Sequence, residues 1–166
     1  MLALVGSGGA GPHDLVRMMR QGRVYQAAAA SQYYAEPKRL ERLGLLRSRK
    51  EPGRTRDRTV YELTDAGRDA LRAWMAEPAP GPRLPGDTIA RMLAADIVGE
   101  RPVRESLLAM RVELEELRGD LAAAVERAET LPHRAKYLKL NHELARRVLE
   151  TYDDWLDDVE RELADG

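Results

Sequence analysis

The sequence predicts a mainly helical protein with one small β-hairpin, divided into two domains by a linker. Three observations support this fold class. Apolar residues recur at spacings of three and four over most of the 166 residues, as they do in amphipathic helices. Two short stretches with β-type alternation flank a polar turn near residue 54. A proline-rich segment near residue 80 coincides with a change in the sign of the charge balance.

The composition argues against several classes of protein. The chain has no cysteine, which excludes disulfides, thiolate metal sites and cysteine nucleophiles. No apolar run approaches the ~20 residues needed to cross a bilayer, and the start "MLALVGSGG" lacks the basic region of a signal peptide. There is no phosphate loop, nucleophile elbow or zinc motif. We therefore expect a soluble cytoplasmic protein that is not an enzyme and has no cofactor, metal or membrane partner.

The net charge of −1 hides a strong asymmetry between the two halves of the chain. Residues 1–78 have a balance of +5, and residues 79–166 have a balance of −6. Within 38–58 there are nine Lys or Arg residues against three Asp or Glu residues. Concentrated basic charge of this kind is typical of a surface that binds a polyanion, although solvated arginines on a surface loop would give the same pattern.

The linker is the segment "EPAPGPRLPGD", from Glu77 to Asp87, with four prolines and two glycines. Prolines lack the amide donor and fix φ, so neither a helix nor a central strand tolerates this density. The predicted division is a first domain at 1–77, a linker at 78–87 and a second domain at 88–166.

The first domain begins with a predicted helix. It starts at Pro12, which suits the first helical position, and ends at Gly22. A helical period places three apolar side chains on one face, Leu15, Met18 and Met19.

A second helix is predicted in "SQYYAEPKRLERLG", with Ser31 as N-cap and Gly44 as its C-terminal stop. Pro37 conflicts with this prediction because it removes a helical hydrogen bond, which leaves open a start near Glu36. One face is predicted to hold Tyr33, Pro37, Leu40 and Leu43.

The stretches "LLRSRK" and "RTVYEL" predict a hairpin around the turn "EPGRTRD". Thr64 then caps a helix in "DAGRDALRAWMAE", with Leu71, Trp74 and Met75 directed towards a core. Helix, helix, hairpin, helix is the order of a winged helix-turn-helix domain. In that fold the second helix enters the DNA major groove and the hairpin, the wing, follows the backbone or minor groove.

The second domain is predicted to contain a short helix in "DTIARMLAADIVG", a long one over 101–130 and a third from His133 to Leu163. A 30-residue helix is ~45 Å long, and two such helices cannot surround their own apolar stripes. We therefore expect a homodimer whose contacts come from these stripes. The predicted dimerisation residues are Leu107, Met110, Leu114, Leu117, Leu121, Leu144, Val148, Tyr152, Trp155 and Val159.

The segment from Ser31 to Pro78 resembles the PadR family of transcriptional regulators. The resemblance rests on Tyr34, Pro37, the run "LERLGL" from Leu40, a basic wing at 47–58 and "YELTDAGR" from Tyr61. It implies a homodimer that represses transcription from a pseudo-palindromic site in double-stranded DNA, often with release by a small-molecule effector such as a phenolic compound. The chain departs from the family pattern in two places: the proline lies three residues after Tyr34 instead of directly after it, and the first helix region is glycine-rich.

Candidate DNA-contacting residues lie on the second helix and the wing. Gln32 suits adenine and Arg39 suits guanine, whereas the Tyr34 hydroxyl suits phosphate. Arg54 and Arg56 are expected at phosphate or in the minor groove. The full predicted set is Ser31, Gln32, Tyr34, Lys38, Arg39, Arg42, Arg49, Lys50, Arg54, Arg56 and Arg58.

Two alternatives remain open from the sequence. Trp74 and Trp155 are candidates for lining an effector pocket, although both residues also suit core packing. The basic surface also suits a winged-helix module that binds an acidic protein and not DNA. The salt dependence of binding to duplex DNA distinguishes the two functions, because phosphate contacts release counterions.

Overall fold

The structure, a computed structural model, describes residues 1–21, 30–52, 57–82 and 85–163. The described residues form two compact units, Met1–Pro80 and Gly81–Gly166. Most of them are helical, and one antiparallel hairpin is present in the described part, which confirms the predicted fold class. The functional assignment of each unit stays a prediction.

The first unit has the predicted order of helix, helix, hairpin and helix, preceded by one additional short helix. Its elements are α1 (Leu2–Val5), α2 (Pro12–Gln21), α3 (Ala30–Arg42), β1 (Leu46–Glu51), β2 (Arg58–Leu63) and α4 (Asp65–Ala76). The hairpin pairs Leu46 with Leu63 at its base and Glu51 with Arg58 near its tip.

The core of the first unit receives apolar side chains from α1, α2, α3 and both strands. Its buried members are Val5, Ala10, Leu15, Leu40, Leu46, Tyr61 and Leu63. The chain before α2 belongs to this core, because the backbone of Ala10 exchanges two 3.0 Å hydrogen bonds with that of Tyr61. The sequence did not predict α1, since four residues are too few to show a helical period.

Helix α3 is already formed at Ala30, so two predictions about its start are wrong. Ser31 lies inside the helix and is not its N-cap, and the helix does not begin near Glu36. Pro37 is accommodated because its ring is fully buried on the inner face, where it packs as an apolar side chain. Leu43, predicted on that face, is 57% exposed because the helix ends at Arg42 and the chain turns there.

Gly44 ends α3 in a Schellman motif, as its predicted role as a helix stop requires. The amide of Leu45 donates to the Leu40 carbonyl at 3.0 Å, and the Gly44 amide donates to Glu41 at 2.9 Å. Gly44 has φ of 71°, a left-handed conformation that glycine adopts without strain.

The start of α4 is joined to this turn. The Thr64 hydroxyl accepts from the Gly67 amide at 3.0 Å, which confirms the predicted cap, and donates to the Gly44 carbonyl at 2.7 Å. Gly67 lies so close to the turn that a Cβ atom there would be 2.0 Å from the Leu45 carbonyl oxygen. The end of α3, the base of the wing and the start of α4 therefore form one junction.

Helix α4 differs from its prediction in the side chains near its C-terminus. Leu71 is half-buried, but Trp74 and Met75 are 60% and 61% exposed. The prediction that both point into a core is wrong: α4 packs against α1 and β2, and both side chains are exposed.

The second unit consists of five helices in its described part. They are α5 (Gly86–Leu93), α6 (Ala95–Val98), α7 (Glu100–Leu108), α8 (Met110–Ala128) and α9 (Ala135–Glu162). The long C-terminal helix is confirmed almost to the predicted residues. The single helix predicted over 101–130 is instead two helices that meet at Ala109, and the short helix before it is divided at Ala94.

The core of the second unit lies where α7 and α8 pack against α9. Four predicted dimerisation residues are buried here within the chain, Leu107, Leu114, Leu121 and Val159. Leu107 lies on α7 and Leu114 and Leu121 lie on α8, whereas Val159 belongs to the buried stripe of α9. The other members of that stripe are His142, Ala145, Leu149 and Leu156. Arg111 of α8 pairs with Asp157 at 2.6 Å, and Arg118 pairs with Asp153, so ion pairs border this apolar contact.

The other stripe of α9 lies on the surface. Leu144 and Val148, both predicted dimerisation residues, are 63% and 45% exposed, and Tyr137 and Leu140 continue the stripe at 64% and 65%. The remaining predicted dimerisation residues are half-buried: Met110, Leu117, Tyr152 and Trp155. Helix α9 is therefore apolar on two faces, of which its own chain covers one.

Candidate nucleic-acid interface

The outer face of α3 is polar, basic and exposed. Ser31, Lys38 and Arg42 recur at helical spacing on the side opposite the buried Pro37 and Leu40. Because the inner face holds the core, these outer side chains are free of packing constraints.

Ala35 lies in the middle of the outer face and is exposed, and it is not among the contact residues predicted from the sequence. A small side chain at this position lets a surface approach the helix backbone closely, and its methyl group suits contact with a thymine methyl. The sequence feature that points to Ala35 is its spacing: it follows Ser31 by four residues and precedes Lys38 by three, so it lies on the same helix face.

Gln32 and Arg39 border the outer face and are both exposed. The Arg39 guanidinium donates to both carboxylate oxygens of Glu36, at 2.7 and 2.8 Å. This contact holds the pKa of Glu36 below its ordinary value. Arg39 would have to exchange this partner before it contacted a guanine.

The two tyrosines of α3 have different environments. Tyr33 is half-buried against the core, whereas Tyr34 is 41% exposed. The Tyr34 hydroxyl lies 3.5 Å from Nδ1 of His13 on α2, and the two rings meet edge to face. This contact holds the Tyr34 ring beside the outer face of α3.

One face of the hairpin carries an alternating series of charges. Glu62 accepts from Arg47 at 3.0 Å and from Arg49 at 2.5 Å. Glu51 pairs with Arg49 at 2.5 Å and with Arg58 at 2.6 Å. We call Arg47, Arg49, Glu51, Arg58 and Glu62 the wing lattice. These hydrogen bonds lower the pKa values of both glutamates.

The remaining wing residues of the predicted set have other positions. On the opposite face of the hairpin, the Lys50 ammonium donates to the Thr59 hydroxyl at 3.0 Å. Arg54 and Arg56 lie outside the described residues, so their predicted contact with phosphate stays a prediction.

A direct contact fixes the wing against α3. The Glu41 carboxylate accepts from both the amide and the hydroxyl of Ser48, at 3.1 and 2.5 Å. Together with the junction at Gly44, this contact gives the helix and the base of the wing a fixed geometry.

The prediction that Trp74 and Trp155 line an effector pocket stays a prediction. Within the described ranges no group of three or more potential metal ligands is present, and no helix there is long and apolar enough to cross a membrane.

The family comparison agrees with this geometry. Residues 16–73 match the model of the transcriptional regulator PadR-like family, from α2 to most of α4. The chain carries a PadR-like domain. The predicted resemblance is thereby confirmed, and the matching family is one of transcriptional regulators and not of enzymes.

Solved structures resemble the PadR-like chain over nearly its whole length. Bacillus subtilis PadR in complex with operator DNA has a TM-score of 0.72 at 20% identity, over 98% of this chain and 93% of that one. The Vibrio cholerae virulence activator AphA has a TM-score of 0.74 at 23% identity, over 94% and 90%. Streptococcus mutans smu.1604c has a TM-score of 0.76 at 13% identity, over 98% and 95%. Among curated proteins the sequence has no match.

Proposed function

We propose that the PadR-like chain binds double-stranded DNA as a homodimer and represses transcription at a pseudo-palindromic site. The observation that carries this proposal is the outer face of α3. Ser31, Lys38 and Arg42 project from it without contributing to the core, beside a wing held at fixed geometry. In winged helix-turn-helix domains this is the helix that enters the major groove.

The homodimer is supported by the exposed stripe of α9. Helical spacing places four apolar residues side by side on one face, and each of them is 45% exposed or more: Tyr137, Leu140, Leu144 and Val148. Contiguous apolar surface of this kind is characteristic of protein–protein contacts. A second copy that presents the same stripe would bury both, as two-fold symmetry allows.

A small-molecule effector is part of the proposal. Among the structural neighbours, Bacillus subtilis PadR is also known in complex with p-coumaric acid, at 20% identity and a TM-score of 0.66. We propose that this chain responds to a small organic ligand. The two predicted tryptophans, Trp74 and Trp155, are the residues to test first.

The experiment is selection of genomic DNA fragments by the purified chain at about physiological salt. We expect enrichment of an inverted repeat with half-sites about 10 base pairs apart, one helical turn. A transcription assay from the enriched promoter then tests the direction of regulation, since added protein should lower its transcript.

The α3 surface is tested with Lys38→Ala plus Arg42→Ala on the same fragments. The loss of two phosphate or base contacts in each half-site should weaken operator binding by at least about tenfold. Arg72→Ala, on the exposed surface of α4, is the control. Equal affinities of the α3 variant and the parent, or binding to duplexes only at low salt without an enriched repeat, would refute the proposal and favour a module that binds an acidic protein.

A further inference from the structure

The wing lattice leaves little of its positive charge unpaired. Arg49 is held on two sides, with its Nε on Glu62 and a terminal nitrogen on Glu51. Arg58 donates to Glu51 from two nitrogens, and its third nitrogen lies 3.7 Å from Asp14 of α2. Each of these guanidinium groups therefore faces carboxylates of the protein itself.

Two of the cations on α3 differ from the strand arginines in this respect. Lys38 and Arg42 are exposed, and neither has an acidic partner in the part of the chain that the structure describes. Among the described basic residues of 38–58, the three strand arginines are paired with carboxylates, as is Arg39 with Glu36. Lys38 and Arg42 on the outer face of α3 are not paired in this way, and Lys50 contacts the Thr59 hydroxyl instead.

We propose that Glu51 and Glu62 are specificity-determining residues that occupy the strand arginines and so limit the affinity of the wing for DNA of arbitrary sequence. This inference rests on the proposed DNA-binding function. It assigns the two glutamates an active role in discrimination, whereas the sequence pattern pointed only to the basic residues of the wing.

The physical reason lies in counterion release. A cation gains affinity for DNA by displacing condensed counterions from a phosphate, and this gain does not depend on sequence. An arginine that must first leave a carboxylate loses that contact, so the net gain is small. On an operator the base contacts of α3 fix the position of the wing on the backbone, whereas on random DNA the protein settles where its free cations best meet phosphates. The lattice therefore lowers binding to random DNA more than binding to an operator.

The same contacts have an alternative interpretation, in which the carboxylates position the arginines by orienting them towards phosphate. The geometry favours occupation, because the carboxylates take up both sides of Arg49 and all three nitrogens of Arg58. The two roles predict changes of opposite sign when a glutamate loses its charge, which makes them separable by experiment.

The test is Glu62→Gln in the full chain, with binding to a duplex of arbitrary sequence followed by fluorescence anisotropy across a salt series. Release of Arg47 and Arg49 should tighten this binding by about three- to tenfold and steepen the log–log salt slope by about one to two. Operator binding should tighten less, so the ratio of the two affinities should fall.

Two further variants make the test specific. Glu126→Gln changes the net charge equally but lies exposed on α8, and it should leave binding to arbitrary DNA unchanged. Arg47→Gln added to Glu62→Gln should remove about half of the gain, because one of the two released arginines is lost. Glu51→Gln repeats the measurement on Arg49 and Arg58 if the first variant folds poorly.

Weaker or unchanged binding by folded Glu62→Gln would overturn the inference, and so would an equal gain in Glu126→Gln. These outcomes leave the proposed function intact, because the parent still binds the duplex. If the parent binds no duplex at any salt concentration, the proposed function fails and the inference fails with it.

Discussion

At the scale of single residues, the motif "YELTDAGR" has a structural explanation. Tyr61 is buried and bonded through its backbone to Ala10, and Leu63 belongs to the same core. Thr64 satisfies the first turn of α4 and at the same time bonds the turn that ends α3. Gly67 permits the close approach of the two segments. The motif therefore builds the junction that supports α3, and this structural role accounts for its residues without any contact to DNA.

Gly67→Ala should destabilise the first unit by about 3 kcal/mol, because the new methyl group meets a backbone atom. A Cβ atom at this position would be 2.0 Å from the Leu45 oxygen, which is itself held by the Thr64 amide at 3.2 Å. Urea denaturation followed by circular dichroism measures the change.

Gly119→Ala is the matched control for this measurement. Gly119 lies in α8, and a methyl group added there would have no contacting atom within 4 Å, so alanine should stabilise the helix by about 0.5–1 kcal/mol. Equal denaturation midpoints for Gly67→Ala and the parent would contradict the close contact.

At the scale of secondary-structure elements, the sequence predicted the boundaries that are set by residues close to them in the chain. The hairpin bounds, the Thr64 cap and the Gly44 stop all follow from turn and capping chemistry within a few residues. The start of α3 did not follow, because burial of Pro37 outweighs the local cost of a proline in a helix. No glycine or proline marks the break at Ala109. The apolar period continues from α7 into α8, so the sequence predicted a single helix.

The contact between α8 and α9 should weaken in mild acid because of His142. This side chain is buried, and desolvation together with the positive charge of Arg127 lowers its pKa below 6.5. Well above pH 6.5 neither the folded nor the unfolded chain binds a proton at this residue. As the pH falls below that value the unfolded chain becomes protonated first, so the stability of the fold decreases.

The measurement is the fall in melting temperature between pH 7.5 and about 5.5, compared between the parent and His142→Gln. The variant lacks the titrating group and should show the smaller fall. The other two histidines are present in both proteins and cancel in the comparison. An equal fall in both would show that His142 does not contribute to acid sensitivity.

At the scale of the whole molecule, the sequence predicted two apolar stripes but not which of them the chain itself covers. The spacing of Leu114 and Leu121 is the same whether the partner helix is α9 or a second copy, so burial could not be assigned from periodicity. The structure separates these buried residues from the exposed Leu144 and Val148. The proposed base contacts of α3 are not determined by the fold in the same way, because the residues on its outer face do not pack against the rest of the chain.

The buried and the exposed apolar residues of these helices should respond differently to substitution by a charged residue. Leu144→Asp should give a folded monomer, because the substitution places a carboxylate in the proposed dimer contact but not in the core. Leu114→Asp should unfold the second unit, because the substitution buries an unpaired charge. Sedimentation and circular dichroism together distinguish the outcomes. A stable dimer of Leu144→Asp would exclude the exposed stripe of α9 as the interface.

The division of α3 into two faces has a consequence for how regulators of this kind diverge. Pro37 and Leu40 hold the helix in place, whereas Ser31, Ala35, Lys38 and Arg42 contribute nothing to the core. Substitutions at these four exposed positions are therefore nearly free of cost in stability. Under the proposed DNA-binding function, a duplicated gene acquires a new binding site through a few changes there, with the scaffold unaltered. The same four codons are then a compact target for a library that alters DNA recognition.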